Sequence, residues 1–422
     1  MWKAKPSVSC RATARAAVPP WRRRGYRRHS CPQRPNPKPL PNKRRPTIRR
    51  DAGLSRVKIL HVAQKTKGGV ATHMAQLVAA QAVEHGVGNV VIVVGDDEKH
   101  FFEAIPQATL RLFRSSARRP GAFAGMARFA HRVIAAERPD ILHVHSTFAG
   151  VLIRARYLFT RAEQRPAIVY CAHGWAFNMQ IPAWQKRIYV AIERLLARVT
   201  DRILCISRFE QDSAIAVGLP AAKLAMVYNG LPPLDGDVAP AAGFDPATLN
   251  LLFIGRTTPQ KGLPDLFAAM AMLGDRPIHL HTVGDRMDDA RLAPANITEH
   301  GWKPREVLPS YIAAADAIVM PSRWEGFGLA AIEAMRQARA VVASDADALP
   351  EIVRPGISGY LYPRGTVAAL ADVLSGLDRT ELRALGQSGR DLFLAAFTED
   401  RMIAKVASLY RDITVARASE EY

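Results

Sequence analysis

The segment PSRWEGFGLAAIEAM, residues 321–335, sets two carboxylates around a pair of glycines. Glu325 precedes Gly326 and Gly328, and Glu333 follows eight positions after Glu325 in a run of alanines and large apolar residues. The apolar run ADAIVMPS before it reads as a buried strand, and LAAIEAMRQ after it as a helix, with Leu329, Ile332 and Met335 at helical spacing. A strand–glycine loop–helix junction offers free backbone N–H groups and the positive end of a helix dipole to a crevice, which suits a phosphate. The glycines let the backbone approach a ligand closely. The competing account is structural: Glu333 pairs with Arg336 three positions on, and Glu325 is solvated.

A second stretch, FIGRTTPQKG (253–262), ends a strand at Gly255 and then places Arg256 and Lys261 on either side of a polar turn before a helix. Two cations and a helix start at the mouth of a sheet suit a diphosphate through charge-assisted hydrogen bonds. A solvated loop with ordinary surface cations is the alternative. HVH (143–145) and HLH (279–281) have donor atoms that could ligate a metal, but alternate residues on a strand are more often packed histidines.

The elements that must hold these residues alternate along the chain. Strands are expected at 57–63, 89–95, 140–146, 167–173, 201–207 and 224–230, with helical patterns between them. A Pro-, Gly- and Ala-rich stretch, GLPPLDGDVAPAAGFDP (230–246), interrupts the pattern, and strands resume at 249–255, 278–284, 317–322 and 339–344. The pattern predicts an α/β protein of two αβα units with parallel sheets facing across a cleft, and ligands in such sheets bind at the carboxyl ends of the strands. The expected limits are an extension at 1–55, a first unit at 56–235, a linker at 236–248, a second unit at 249–395, and a C-terminal helix at 396–422 that could pack back on the first unit.

Composition sets bounds on function. The net charge of +20 resides mostly in residues 1–50, which hold 16 of the 58 Lys and Arg, nine prolines and no acidic residue. That leaves 42 basic residues against 38 acidic ones in the rest, a nearly balanced body. The extension should be disordered, and it lacks the apolar region of a secretory signal. No basic stripe with interleaved aromatics runs through the body, which argues against nucleic acid as a partner. The four cysteines are widely spaced with no C-x-x-C pattern, which fits a reducing, cytoplasmic compartment. No run of 18 apolar residues predicts a membrane span. Residues 114–140 mix arginines with an amphipathic pattern that could rest on an anionic membrane surface at the inner face of the cell membrane. An ordinary covering helix gives the same pattern.

Over residues 56–412 the chain resembles the retaining glycosyltransferases of family 4, enzymes with the GT-B fold of two facing Rossmann-like domains. EGFGLAAIE matches the family's E-x7-E signature and FIGRTTPQKG its GR…KG loop. ILCISRFEQDSAIAVGLPAAKLAMVYNG, RPDILHVHS, YCAHGWAF and KGGVATHM look like its amino-terminal domain and boundary region, and the HGWAF form is similar to enzymes of bacterial exopolysaccharide or O-antigen synthesis. The resemblance implies a nucleotide diphosphate sugar donor, a saccharide or lipid-linked saccharide acceptor, no cofactor and no metal. It implies that Gly69 approaches the donor phosphates, that Arg256 and Lys261 neutralise the diphosphate, and that Phe327, Gly328 and Leu329 offer backbone near sugar and phosphate. Glu333 would take the ribose hydroxyls, Glu325 and His173 the transferred sugar and reacting centre, and Gly301 and Lys303 the base. DGD (235–237) and DAD (345–347) match the D-x-D metal motif of another glycosyltransferase fold and are read as chance. The sequence departs from the family in VGDRMDDARL, where a glycine-rich turn is common, and in DADALPEIV, where a Gly-Gly pair is common. Phosphorolysis or epimerisation of a UDP-sugar on the same fold is the alternative chemistry. A basic nucleic-acid-binding protein with an inactive body is the alternative class.

Overall fold

The computed structural model describes residues 57–66, 68–115, 122–234, 236–285 and 296–420. The extension expected at 1–55 lies outside the described residues, as does most of 114–121.

Seven parallel strands form the first sheet: β1 (Ile59–Ala63), β2 (Val90–Gly95), β3 (Leu110–Phe113), β4 (Ile141–His145), β5 (Ala167–Cys171), β6 (Arg202–Cys205) and β7 (Leu224–Met226), in the order β3-β2-β1-β4-β5-β6-β7. Six parallel strands form the second: β8 (Leu249–Ile254), β9 (Ile278–Val283), β10 (Ile297–Glu299), β11 (Ala317–Met320), β12 (Ala340–Ser344) and β13 (Gly359–Tyr362), in the order β10-β9-β8-β11-β12-β13. Both lie in one unit, Leu54–Tyr422.

The apolar runs follow from helices on both faces. Along β2, Val91 and Val93 point into one core with Met126, Ala130 and Ile134 of the helix Ala122–Glu137, while Val90, Ile92 and Val94 point into another with Met74 and Val78 of the helix Gly69–His85. The helix Ala122–Glu137 of the amphipathic stretch therefore covers the sheet with its apolar side. Three strands absent from the sequence reading, β3, β10 and β13, all lie at sheet edges. Each is three or four residues long and only partly buried, so none carries the continuous apolar signal of an interior strand.

A third core runs between the sheets, from Ile59, Val169 and Leu204 to Leu252, Ile318, Phe327 and Met335. The helix Glu399–Glu420 joins it through Met402, Val406 and Ile413. The Tyr410 hydroxyl lies 2.7 Å from His143 Nδ1 on β4, and Arg417 Nη2 lies 3.0 Å from an Asp201 carboxylate oxygen. Where the chain passes between the halves, Leu231 N donates to Phe397 O at 3.0 Å and Glu399 N to Leu231 O at 2.9 Å. A β-carbon on Gly230 would stand 2.2 Å from Thr398 O, so the Asn-Gly corner is a close crossing of two backbones. Among the described residues, no helix is long and apolar enough to cross a membrane.

Candidate active site

The second sheet supplies a loop at the end of β8 and another at the end of β11, two strands that are neighbours in the sheet. Gly262 has φ 65°, and a β-carbon there would stand 1.9 Å from Pro321 O. This left-handed glycine lets the two loops touch, and Lys261 thereby forms an ion pair with Glu325. Ser322 Oγ donates to the same carboxylate at 3.3 Å. Glu325 is 9% exposed, so the solvated alternative for it does not hold. Its backbone N donates to Asp347 Oδ2 at 3.0 Å, and Asp347 pairs with Arg364 at 3.2 Å. Asp347 itself has φ 49° and falls within the stretch where the family commonly has a glycine pair. The loop keeps a left-handed turn there without glycine, and the DAD carboxylates are engaged by backbone and Arg364. Asp235 of DGD lies outside the described residues.

Gly328, at φ 96°, leads into the helix Leu329–Arg336. The Phe327 side chain is buried, with its ring centroid 6.0 Å from those of Tyr228 and Phe397, so it anchors the loop. Glu333 pairs with Arg305 Nη2 at 3.3 Å, and Arg305 also donates to the Thr72 hydroxyl on the helix Gly69–His85. Arg336 instead donates to Pro232 O at 3.1 Å. The structural alternative for Glu333, a hydrogen-bonded pair with Arg336, is thus replaced by a pair with a cation from another segment. Burial pushes the Glu333 carboxyl above the usual range, and the Arg305 and Arg336 charges pull the other way.

The first sheet brings two glycine loops to the same place. Gly69 opens the helix behind β1, and a β-carbon on it would stand 2.9 Å from the Leu329 side chain. His173 follows β5 with φ 55°, and Gly174 has φ 115°. A β-carbon on Gly326 would stand 3.4 Å from Gly174 Cα and 3.5 Å from His173 O, so the H-G and E-G-F-G loops abut. His173 Nε2 lies 3.0 Å from His145 Nδ1, in a cluster that also holds His61, His73 and His143. Burial, with the neighbouring His73, holds the His173 imidazole well below its ordinary pKa and therefore neutral near pH 7.

These contacts bring together Gly69, His173, Lys261, Glu325, Phe327, Gly328, Leu329 and Glu333. Arg256, Gly301 and Lys303 stand apart on the rim formed by the ends of β8, β9 and β10. Gly301 O accepts from Gly284 N at 3.1 Å, and a β-carbon on Gly284 would stand 1.7 Å from Gly255 O, so the three strand ends are tied by backbone. Arg256 is exposed, and among the described residues neither it nor Lys303 has a side-chain hydrogen bond or ion pair. Most of VGDRMDDARL (residues 286–292) lies outside the described residues.

Sequence reasoning missed Arg305, Thr72, Ser322 and Asp347. Arg305 lies four residues after Gly301, and no local pattern marks it. The HLH histidines are packed and partnered: His279 with Thr298 at 2.8 Å, and His281 with His300 at 3.0 Å and Asn250 at 3.1 Å.

Comparison with known proteins is consistent from end to end of this arrangement. Residues 67–233 match the family described as Glycosyltransferase Family 4, and residues 248–378 that described as Glycosyl transferases group 1. An uncharacterized 41.2 kDa protein of the cps region of Klebsiella pneumoniae is 30% identical over 72% of this chain and 85% of its own length. The Escherichia coli UDP-Gal:alpha-D-GlcNAc-diphosphoundecaprenol alpha-1,3-galactosyltransferase is 24% identical over 68% of this chain and 78% of its own. Among solved structures, Anabaena HepE in complex with UDP and glucose superposes with a TM-score of 0.68 over 84% of this chain and 99% of its own, at 18% identity. That likeness shows the fold, two Rossmann-like units in the GT-B arrangement. The chain is a glycosyltransferase and belongs to family 4, the group 1 glycosyl transferases.

Proposed function

We propose that the enzyme moves a sugar from a nucleotide diphosphate sugar to a saccharide or lipid-linked saccharide acceptor with retention of configuration, in the synthesis of an exopolysaccharide or other cell-surface polysaccharide. The observation that carries this reading is the pairing of Lys261 with Glu325 and of Arg305 with Glu333 beside the start of the helix Leu329–Arg336. A lysine beside a helix N-terminus suits a departing diphosphate, and the carboxylates of buried Glu325 and half-buried Glu333 suit sugar and ribose hydroxyls.

In this reading Arg256 and Lys261 take the negative charge that develops as the nucleoside diphosphate leaves. Gly69, Phe327, Gly328 and Leu329 bring backbone to the phosphates, Glu333 accepts from the ribose hydroxyls, and Gly301 and Lys303 lie at the base. Glu325 and His173 hold the transferred sugar from opposite sides of the abutting glycine loops. The acceptor hydroxyl attacks the face that the diphosphate leaves, and a leaving phosphate oxygen takes its proton. The positive charge for this step comes from side chains, so no metal takes part in it. The relatives that support a polysaccharide product include the galactosyltransferase named above, whose acceptor is a diphosphoundecaprenol-linked sugar. A lipid-linked acceptor would lie at a membrane surface, and the exposed Arg114, Arg128, Arg132 and Arg138 are available to meet one.

Titration with free UDP or GDP tests the assignment. Glu333→Gln should weaken the nucleotide roughly tenfold to a hundredfold, the value of a charge-assisted hydrogen bond of about 1.5–3 kcal/mol. Glu325→Gln should leave free nucleotide binding close to wild type and lower kcat. Wild-type affinity in both variants would refute the ribose role and leave Glu333 a structural partner of Arg305.

A further inference from the structure

Four buried histidines, His61, His73, His143 and His145, meet the half-buried His173 beside the first sheet with no carboxylate among them, and the transfer proposed above uses only His173. We infer that His73, His145 and His173 form a binding site for one divalent transition-metal ion of the zinc class. One ring nitrogen of each lies within 4.8 Å of the others.

The hydrogen bonds around the trio fix its lone pairs. His61 Nε2–H donates to Gln81 Oε1 at 2.7 Å, which leaves His61 Nδ1 as an acceptor. His145 Nε2–H then donates to His61 Nδ1 at 3.0 Å, so His145 Nδ1 carries a lone pair. On the other side, His73 Nδ1–H donates to Asn229 Oδ1 at 2.9 Å, so its Nε2 also carries a lone pair. That nitrogen is buried and has no hydrogen-bond partner among the described residues, although His73 is only 1% exposed. Two of the three imidazoles thus present a lone pair, unpartnered on His73 and shared only with His173 on His145, while their N–H groups are held from behind. This is the outer-shell pattern of metal-ligating histidine.

His173 completes the set. Its Nε2–H donates to His145 Nδ1 at 3.0 Å, close to the roughly 3.3–3.4 Å that separates two imidazole ligands on a tetrahedral zinc. When the His173 proton shifts from Nε2 to Nδ1, the ring stays neutral and the ion takes the place of the hydrogen bond. His173 is half-buried and adjoins the cleft, which gives an ion access. The second trio, His61, His143 and His145, is wholly buried and has no such opening. Imidazole donors suit Zn2+, Cu2+, Ni2+ or Co2+ and disfavour Mg2+ and Ca2+.

The site does not depend on the role of His173 in transfer, and the two can be separated. The full chain, stripped of metal, is titrated with Zn2+ against a competing chelator and with Co2+ by visible absorption. One equivalent should bind, and Co2+ should give the spectrum of a four-coordinate ion with nitrogen ligands. His73→Gln should lose at least a hundredfold in affinity, and Asn229→Ala about 10–100-fold. The inference is overturned if the wild type takes up no stoichiometric ion, or if His73→Gln binds as tightly as wild type. If His73→Gln fails to fold, the wild-type Co2+ spectrum decides, and a thiolate charge-transfer band would place the ion on cysteine and overturn the site. A bound ion withdraws His173 from the cleft, so turnover should fall in step with occupancy. Stoichiometric binding with full turnover would refute the role given to His173 and leave the metal site standing.

Discussion

Glu351 should be a main tie between the two halves of the enzyme, and its removal gives a number that can be checked. Its carboxylate, on the short helix Leu349–Ile352 that follows β12, accepts from Arg208 N at 2.8 Å, Phe209 N at 2.6 Å and the Tyr228 hydroxyl at 3.0 Å. The first two are the opening N–H groups of the helix Arg208–Ala216 behind β6, whose third free N–H, on Glu210, donates to Ser207 Oγ at 3.1 Å. A carboxylate from the second half thus completes the cap of a helix in the first. A hydrogen bond to a charged group contributes about 1.5–3 kcal/mol when buried and less when half-exposed, and the helix dipole adds about 0.3–1 kcal/mol. Glu351→Ala should therefore cost about 2–4 kcal/mol in urea unfolding. Glu351→Gln keeps one acceptor but turns an NH2 toward N–H donors, and should cost about 1–2 kcal/mol. A double-mutant cycle of Glu351→Ala with Tyr228→Phe should return a coupling of about 1 kcal/mol. A loss below about 0.5 kcal/mol for Glu351→Ala, with an unchanged m value, would refute the reasoning.

Lys261→Ala should lower kcat by about 10²–10³ while stability falls by only about 1 kcal/mol, and near-normal turnover would remove the lysine from the phosphate site. Burial pushes the Glu210 carboxyl up to about 8, from an ordinary 4.5, so the native state keeps a proton that the unfolded chain has released in that window. Wild-type stability should then fall as pH rises from about 5 to 8, at up to about 1.4 kcal/mol per pH unit, relative to Glu210→Gln. Parallel stability curves would count against this. Arg154 is fully buried, 2.7 Å from Glu193 and over the Tyr170 ring at 3.5 Å. Arg154→Ala leaves Glu193 unpaired in the core and should cost about 3–5 kcal/mol by denaturant unfolding, whereas a loss under 1 kcal/mol would mean that water replaces the guanidinium.

Much of the fold was legible because interior strands of parallel sheets read as apolar runs. VVIVVG and AIVYC could hardly be anything else, whereas LRLF, ITE and GYLY at the edges carry no such run. The meeting of Lys261 with Glu325 was half legible, since both lie at the ends of predicted strands and only the adjacency of β8 and β11 was missing. Arg305 was not legible, because its partners Glu333 and Thr72 lie 28 and 233 positions away and no local pattern marks it. The histidine cluster shows the same limit. HVH was visible as a packed pair, but its meeting with His61, His73 and His173 needs β1, β4 and β5 to be neighbours, a fact of sheet order and not of spacing.

The ion pairs at the cleft carry a consequence for the order of recognition. On the proposed assignment, Lys261 must release Glu325 before it can meet a phosphate, and Arg305 must yield part of Glu333 before a ribose can. The diphosphate can make that exchange because it brings a better partner for Lys261, and the ribose meets Glu333 because it arrives tethered to that diphosphate. A free hexose brings nothing for Lys261, so it would have to compete with a cation for Glu325 and lose. Sugar selectivity would then exist only in the nucleotide's presence: the carboxylate that reads the sugar is unmasked by the charge of the group the sugar is about to leave. Such a cleft refuses loose monosaccharides, however abundant, without any steric barrier against them.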